Sequence, residues 1–580
     1  MRTTTVTRDG IRARAIAGTH TVLMAIAVST EKSKGLLGFA VHRDGGGKRA
    51  WLKGSKVFES RVPQPPARAQ YSSLDHPFQS LLWGDYTVEP GTTYTLTIRP
   101  MYGTPTALEP GTDIELTVTT EPYTSDDSIH SVWFNRGAAA SQAYAREFKN
   151  EPPPAPEDPD DRHTKWLSRG LLEACLYFIN GTPKGDGLRV AAYEFTYAPV
   201  LEALKAATAR GVDVQVVYEA GMQTVKGVEG PTDATKANAA AIKRTGFTEK
   251  TRLIKRTRRA AIPHNKFIVR LHKKKTPVAV FTGSTNFTAS GFLGQTNVGH
   301  QVNDADVAAT YLAYWKLLAQ DPEPGAMRTA VEELTPHPAD VLAEGQSTCL
   351  FSPRSVSKML AWYASRISEA EQVVLYTGGF GVADKLATAL APDTNILRYL
   401  ILEKPPTKKT RALLGDDRDL LVVPGNVLGE IWMENKKGEL TIRRPIPGFK
   451  LEEWYLNESH WRRAGNIFFV HTKILIIDPL SEDPKVFTGS ANFSSNSLLS
   501  NDENMLLIRG DTRVADIYLT EIDRIMRHFY FRDVAARESA DGEDENARKG
   551  KFLDESDDWL RIGYKAGTLK ARRQRMFFPA

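Results

Sequence analysis

Cysteine is almost missing from this sequence. Cys175 and Cys349 are its two cysteines in 580 residues, so the chain has no disulfide framework and no metal site built from cysteines. It also lacks an apolar run of about 18 residues, the length that a membrane-spanning helix needs. These absences exclude a small disulfide-stapled fold and predict that the chain does not cross a membrane.

A strong charge of either sign is missing too. The sequence has 75 basic and 69 acidic side chains and a net charge of +6, with 41% hydrophobic residues, which is the composition of an ordinary soluble globular protein. A modest positive charge permits a polyanionic partner without requiring one. The length of 580 residues is too great for a single domain and predicts about three.

The apolar stretch AIAGTHTVLMAIAVS, residues 15–29, follows several arginines and shares some features with a signal peptide. However, His20 and two threonines interrupt it, and Asp9 precedes it. TVLMAIAVS is better interpreted as a buried β-strand. We therefore expect a cytoplasmic protein rather than a secreted one.

Short strands separated by turn residues predict a small all-β sandwich over residues 1–135. GLLGFAVHRD and KRAWLKGSKVFES, joined by a glycine run, predict a hairpin, and LLWGDYTVEPGTTYTLTIRPMYG predicts a strand, a Pro-Gly turn and a second strand. The segment TTYTLTIRPMYG resembles a fibronectin type III strand. No catalytic motif falls in this region, so we expect a separable accessory domain with a docking or recognition role.

The remainder of the chain predicts an α/β protein in two halves. A Pro- and acid-rich linker, residues 136–163, contains NEPPPAPEDPDD and is expected to be extended. Helix and strand patterns then alternate through residues 164–335 and again through residues 336–540, which is typical of sheets covered by helices. Residues 541–580 are expected to form a charged C-terminal tail that packs partly on the core.

Each half contains the same motif. HNKFIVRL begins at residue 264 and is followed by FTGSTNF at 281–287, while HTKILIID begins at residue 471 and is followed by FTGSANF at 487–493. Side chains alternate along a strand, so the His and Lys of each copy lie on one face at the head of an apolar strand. The two copies indicate an internal duplication.

These blocks resemble the phospholipase D superfamily, whose signature is His-x-Lys-x4-Asp followed by Gly-Ser-x-Asn. The second copy matches in full, at His471, Lys473, Asp478, Gly489, Ser490 and Asn492. The first copy matches at His264, Lys266, Gly283, Ser284 and Asn286, but Leu271 stands where the Asp is expected. Over residues 160–540, the resemblance implies two pseudo-symmetric α/β/α sandwich halves that share one site.

The resemblance implies hydrolysis through a phosphohistidine, without metal or cofactor. His264 is then the nucleophile, and His471 is the general acid that protonates the leaving group and later activates water. Four residues are expected to hold the phosphoryl oxygens, namely Lys266, Lys473, Asn286 and Asn492. Ser284, Ser490 and Asp478 are expected to support them.

The superfamily places an acidic residue eleven positions after the motif asparagine to orient a histidine. This position is Glu503 in the second half and Asn297 in the first. We therefore expect Glu503 to orient His471, and Asn297 to orient His264 without favouring its charged form. The missing Asp at Leu271 is expected to matter little, because it is a supporting residue that tyrosyl-DNA phosphodiesterases also lack.

The substrate is expected to be an anionic phosphodiester. Basic stretches at 250–266, 270–275 and 570–575 suit either an anionic lipid surface or a nucleic-acid backbone. The resemblance favours a phospholipid, cleaved or with its headgroup transferred, together with a peripheral membrane contact. A metal-independent nuclease and a decayed, non-catalytic binding protein are the two alternatives, and the second of these is supported by Leu271 and Asn297.

Overall fold

The computed structural model describes most of the chain. The described residues are 1–66, 69–124, 128–137, 142–149, 151, 153–338, 345–392, 395–415, 419–425, 432–434, 440–442, 470–540 and 552–578. Parts of the predicted linker and of the predicted tail, residues 541–551 among them, lie outside these ranges.

The N-terminal domain consists of two antiparallel sheets. One has the strand order Val6–Arg8, Ile11–Ala17, Val22–Val28, Leu82–Asp85. The other has the order Ala107–Pro110, Thr93–Thr104, Gly38–Gly45, Lys48–Trp51, with Ile114–Thr119 also paired to Thr93–Thr104. Alternate residues of Ile114–Thr119 are buried, as expected for a sheet with one face on a core. The predicted all-β domain is confirmed, and its similarity to fibronectin type III stays a prediction.

The boundary of this domain differs from the prediction. His130–Phe134, which we assigned to the sandwich, pairs antiparallel with Val298–Val302 of the first α/β half. All five of its side chains are buried, so the strand needs a sheet that is covered on both faces. The sandwich therefore ends before residue 130.

The two α/β halves each contain a seven-stranded mixed sheet. The first sheet has the order His130–Phe134, Val298–Val302, Thr276–Gly283, Lys266–His272, Gly187–Ala192, Asp213–Glu219, Arg252–Arg256. The second sheet has the order Ser347–Ser352, Glu503–Arg509, Lys485–Gly489, Ile474–Ile477, Val373–Gly378, Leu397–Leu402, Leu420–Pro424. Corresponding strands occupy corresponding places, which confirms the predicted pseudo-symmetric fold.

Four small ladders complete the described strands. They are Lys53–Gly54 with Tyr71–Ser72, Val57–Phe58 with Phe552–Leu553, Met222–Val225 with Val228–Pro231, and Trp432–Glu434 with Leu440–Ile442.

The helices of the two halves cover the faces of the two sheets, and the last two helices of the chain pack on the sandwich. They are Gln142–Phe148, Arg162–Ser168, Leu171–Asn180, Ala198–Ala209, Asp233–Thr245, Ala305–Gln320, Pro324–Leu334, Lys358–Ser368, Asp384–Leu390, Lys408–Leu414, Ser495–Leu499, Thr512–Ala540, Asp558–Arg561 and Leu569–Met576, with one π-helical turn at Ser290–Gly294. Ala305–Gln320 and Thr512–Ala540 share one apolar core with residues of both sheets. Within the described ranges, no helix has the length and apolar character needed to span a bilayer.

The C-terminal residues 552–578 pack on the sandwich rather than forming a tail. Phe552–Leu553 pairs parallel with Val57–Phe58, and Trp559 Nε1 donates to the Leu36 carbonyl at 2.8 Å. In the basic stretch at 570–575, Arg573 is paired with Asp523. Part of that stretch is therefore structural, because its charge is taken up by a carboxylate of the second half.

Ion pairs also fasten the sandwich and the first half to the long helix Thr512–Ala540. Arg2 Nε lies 2.9 Å from Asp516 Oδ1. The buried Glu521 accepts from Arg169, and from Arg524 Nε at 2.8 Å. A fragment that begins near residue 160 would lose both the edge strand His130–Phe134 and the ion pair from Arg2 to Asp516, so we no longer expect the sandwich to be separable.

Glu521→Gln tests this interface. The substitution leaves the buried Arg169 without its counter-charge, and we expect a loss of about 3–5 kcal/mol in the free energy of unfolding at pH 7. Burial acts to raise the pKa of Glu521, but Arg169 and Arg524 outweigh burial and lower it to about 2. The carboxylate therefore stabilises the fold above pH 4.5, its ordinary pKa, and this contribution is lost as the pH falls toward 2.

Denaturant unfolding of the variant and the unmodified protein at pH 7 and at successively lower pH measures this effect. The difference between them should shrink below about pH 4.5. Glu147→Gln, at an exposed pair with Arg162, is the matched control and should unfold like the unmodified protein. Equal stability of Glu521→Gln at pH 7 would contradict the assigned role.

Candidate active site

Both motif histidines lie at the same edge of the molecule, where the two sheets meet. His264 and His471 each precede the central strand of their own sheet. Their ring centroids are 6.5 Å apart with the planes at 70°, and both side chains are buried. The structure thus brings together two residues that are separated by about two hundred positions in the sequence.

Each histidine is oriented by a residue of the opposite half. His264 Nδ1 lies 2.9 and 3.1 Å from the two carboxylate oxygens of Glu503. His471 Nδ1 lies 2.9 Å from Asn297 Oδ1. Our prediction of the pairing is therefore wrong. Glu503 and Asn297 each lie where a strand begins, next to the interface between the two halves. The side chain of each therefore reaches the histidine of the other half.

These contacts determine which ring nitrogen faces the substrate. A carboxylate accepts hydrogen bonds, so His264 donates from Nδ1. Asn297 Nδ2 donates to the Gly291 carbonyl at 2.8 Å, which leaves Asn297 Oδ1 to accept from His471 Nδ1. Nε2 of each histidine is thereby left for the reaction.

The motif serines hold the orienting residues. Ser284 Oγ donates to Asn297 Oδ1 at 2.7 Å and accepts from the Val298 amide at 3.1 Å. Ser490 Oγ accepts from the Asn504 amide at 2.9 Å, next to Glu503. The predicted supporting role of the serines stays a proposal, and its geometric basis is this fixing of Asn297 and of the strand that begins at Glu503.

The two motif lysines are buried beside the histidines. Lys266 and Lys473 each donate from Nζ to the carbonyl of their own motif histidine, at 2.5 Å for Lys473. Burial lowers the pKa of Lys266 to about 7, against the opposing charge of Glu503. Burial and the charge of Lys266 also hold the pKa of Lys473 well below its usual range. An anion entering the site would restore the charge of both, so the arrangement favours phosphate binding.

Burial also shifts the pKa values of the two histidines and of Glu503. Burial, together with Lys266 and Lys473, holds the pKa of His264 and of His471 well below 6.5. Burial raises the pKa of Glu503 to about 7, although Lys266 opposes this rise. A neutral imidazole at neutral pH is what attack by His264 would require, whereas an anion in the site would raise the pKa of His471 and favour the protonated form that a general acid needs.

Two residues that the motifs did not predict lie beside this cluster. The Tyr193 ring centroid is 5.3 Å from that of His264 and 5.7 Å from Lys266 Nζ. The neighbouring Glu194 accepts a hydrogen bond from Asn286 Nδ2. Both residues follow the strand Gly187–Ala192, which pairs with the first-motif strand. In the sequence, the feature that could have indicated these two residues is a polar Tyr-Glu pair directly after an apolar strand.

Asp478 lies at the far end of its strand from the histidines. Its carboxylate accepts from the amides of Glu371, Gln372 and Val373, each at 2.8 Å. In the first half Leu271 is buried, and a different carboxylate, that of Asp186, accepts from the Lys273 amide at 2.9 Å. The missing Asp therefore changes a loop contact at the far end of the strand from the motif histidines.

The basic stretch at 250–266 is partly structural. Arg256 is buried, with Nε 2.9 Å from Asp502 Oδ2, and Arg259 forms an ion pair with the buried Glu219. Lys255 and Arg258 are exposed. A smaller basic surface than the sequence suggests therefore remains at this edge.

Comparison with known proteins agrees with the motifs. A family model described as "Cardiolipin synthase, PLD-like domain" matches residues 182–318 and 439–526, and these segments contain both copies of the motif. The resemblance to the phospholipase D superfamily is confirmed. The fold and the paired motifs are those expected of the phospholipase D superfamily.

Solved structures give distant likenesses. Phosphatidylserine synthase from Haemophilus influenzae is 11% identical, with coverage of 67% of this chain and 94% of that chain and a TM-score of 0.40. Polyphosphate kinase from Porphyromonas gingivalis is 14% identical with a TM-score of 0.34, and the match covers 60% of this chain and 45% of the kinase. Likenesses at this distance carry no functional argument. The search among curated proteins gives no match.

Glu503→Gln tests the crossed pairing. Since the pKa of Glu503 is about 7, kcat/KM of the unmodified protein on a soluble diester should fall as Glu503 is protonated below that pH. The glutamine variant keeps a hydrogen-bond acceptor but not the charge, so we expect kcat to fall about 10- to 100-fold and this acid limb to disappear. The measurement is the pH profile of kcat/KM.

Asn297→Asp is the matched change in the other half. It places a carboxylate on His471, so it should raise the pKa of His471 and move the limb that needs protonated His471 to higher pH. If instead it altered the limb due to Glu503 and His264, the crossed pairing would be contradicted.

Proposed function

We propose that this protein hydrolyses a phosphodiester through a phosphohistidine on His264, and that its substrate is a phospholipid. The observation that carries the proposal is the meeting of His264 and His471 across the two halves, each with Nδ1 occupied and Nε2 available. Transfer of the phosphatidyl group to an alcohol other than water would use the same intermediate.

In the first step, His264 Nε2 attacks phosphorus and the bond from phosphorus to the leaving oxygen breaks. His471, protonated on Nε2, gives its proton to that oxygen. In the second step His471 takes a proton from water, the resulting hydroxide attacks phosphorus, and the phosphorus–nitrogen bond breaks. Lys266, Lys473 and the motif asparagines would hold the oxygens whose charge increases in each transition state.

The crossed pairing supports this division of roles. Phosphorylated His264 carries positive charge, and the buried carboxylate of Glu503 at its Nδ1 stabilises that charge. Asn297 is a neutral amide and gives His471 no such stabilisation, so protonated His471 remains a strong acid. His264 is therefore proposed as nucleophile on grounds opposite to those of the sequence argument.

A phospholipid is favoured by the family description, which names a lipid-synthesising enzyme. A nuclease is the second candidate, supported by the exposed Lys255 and Arg258 at the site edge and by backbone charge neutralisation as a binding principle. A decayed binding protein is disfavoured because the motif histidines, lysines and serines are assembled with their contacts.

The substrate class is tested by incubating the protein with labelled phosphatidylcholine and, separately, with plasmid DNA, both in EDTA. We expect lipid cleavage that survives chelation, because the proposed steps use only side chains. Cleavage of DNA alone would favour the nuclease. Loss of turnover in EDTA that zinc or magnesium restores would contradict the proposed chemistry.

The order of attack is tested by reacting the protein with labelled substrate and denaturing it at alkaline pH, because the phosphorus–nitrogen bond of a phosphohistidine is hydrolysed in acid. We expect label on His264, and none in His264→Asn. His471→Asn should lower turnover of a natural diester about 10²–10⁴-fold, while partly sparing the first step with a nitrophenyl ester, whose leaving group needs little protonation. That variant should accumulate the adduct. Label found on His471 would reverse the roles.

A further inference from the structure

A small hairpin projects from the first half at the edge that carries His264. After the strand Asp213–Glu219, Met222–Val225 pairs antiparallel with Val228–Pro231. Lys226 and Gly227 form the turn, with φ of 52° and 79°, which is the geometry of a tight two-residue hairpin turn.

The tip of this hairpin is apolar and open to solvent. Val225 and Val228 are directly paired, so their side chains lie together on one face. They are 56% and 71% exposed, and Met222 is 49% exposed. Single exposed apolar residues are ordinary on protein surfaces, but polar residues dominate tight turns. A valine pair on both sides of a lysine at a turn therefore suits a partner with an apolar interior and an anionic surface.

The hairpin stands beside the proposed catalytic site. The strands Gly187–Ala192 and Asp213–Glu219 run parallel, so both end at the sheet edge where the antiparallel first-motif strand begins at Lys266. The hairpin follows the end of the second of these strands directly. The base of the hairpin and His264 are therefore at the same end of the strands of this sheet.

The base of the hairpin is held firmly. Glu219, just before it, is paired with Arg259 and accepts from Thr232 Oγ1 at 3.0 Å. Thr235 Oγ1 donates to the Gly221 carbonyl at 2.9 Å. A fixed base with an exposed tip is suited to presenting side chains to an external surface.

We propose that this hairpin docks the protein on an anionic lipid bilayer, with Val225 and Val228 inserted at the interface and Lys226 among the headgroup phosphates. The exposed Lys255, near the end of the neighbouring parallel strand Arg252–Arg256, adds to the charge complementarity. The inference rests on the proposed function, which it deepens, because such docking would bring a headgroup diester to the side of the molecule that carries His264.

Other partners fit the hairpin less well. A nucleic-acid backbone would gain from Lys226 but nothing from the valine pair. A stable interface with a second copy needs about 800 Å² from each partner, far more than one hairpin tip offers. Insertion at a lipid interface needs only a few apolar side chains and nearby cations.

The test is co-sedimentation of the full-length protein with vesicles of equal parts phosphatidylcholine and phosphatidylglycerol. In a double variant, Val225→Ser with Val228→Ser, we expect vesicle binding to weaken roughly tenfold or more, because the inserted apolar area is lost. Lys226→Glu should weaken binding to these vesicles more than to pure phosphatidylcholine vesicles, and added salt should reduce this difference.

Matched controls make comparable substitutions at exposed positions outside the hairpin. Ile562→Ser changes an apolar residue that is 60% exposed on the C-terminal segment, and Lys48→Glu changes an exposed lysine at the start of a sandwich strand. Neither should alter vesicle binding. The valine variant should also lower the ratio of vesicle-lipid turnover to soluble-diester turnover.

Unchanged vesicle binding in the valine variant would overturn the inference. A change in oligomeric state or in DNA binding with unchanged vesicle binding would also overturn it, by assigning the hairpin to another partner. Failure of the proposed function would give a different result. The unmodified protein would then bind vesicles through the hairpin but would turn over neither lipid nor soluble diester.

Discussion

The hydrogen bond from His264 to Glu503 crosses the interface between the two halves, and the candidate site exists only because that interface forms. Neither half contains a histidine together with its orienting residue. Further contacts close the same interface, including those from Asn504 Nδ2 to Asn265 Oδ1 at 2.9 Å and from Thr282 Oγ1 to Asn504 Oδ1 at 2.7 Å. The central apolar core, shared by both sheets and by two helices, holds these polar contacts in register. The geometry of the candidate site therefore depends on the packing of the two halves against each other.

Burial of charge is the second constraint. Two lysines, two histidines and a glutamate lie together with little solvent contact, and burial moves the pKa of each toward its neutral form. Such a cluster costs stability without a ligand and gains it with an anion, because the anion supplies the missing counter-charge. The ion pairs around Glu521 have the opposite character, since Arg169 and Arg524 already share a buried carboxylate as their counter-charge.

The two halves differ at equivalent positions, and these differences give their residues different surroundings. Asp478 and Asp186 secure corresponding loops from different sequence positions, so the loss of the Asp at Leu271 is compensated locally. Glu503 and Asn297 occupy equivalent places with different charge, which makes the two histidines chemically unequal. The arginines of the first basic stretch also differ in their surroundings: Arg256 is buried, Arg259 pairs with the buried Glu219, and Arg258 is exposed in a pair with Glu323.

The sequence by itself determined the α/β class, the two-half repeat, the all-β N-terminal region and the motif residues, because strand alternation and the duplicated His-x-Lys spacing are local properties. Tertiary structure alone decided which half orients which histidine, that His130–Phe134 belongs to the first sheet, and that residues 552–578 pack on the sandwich. It also showed the exposed hairpin tip and the contacts of Tyr193 and Glu194 with the motif residues. Those features depend on contacts between residues that are distant in the chain. Local sequence patterns do not indicate which surfaces of the folded chain contact each other.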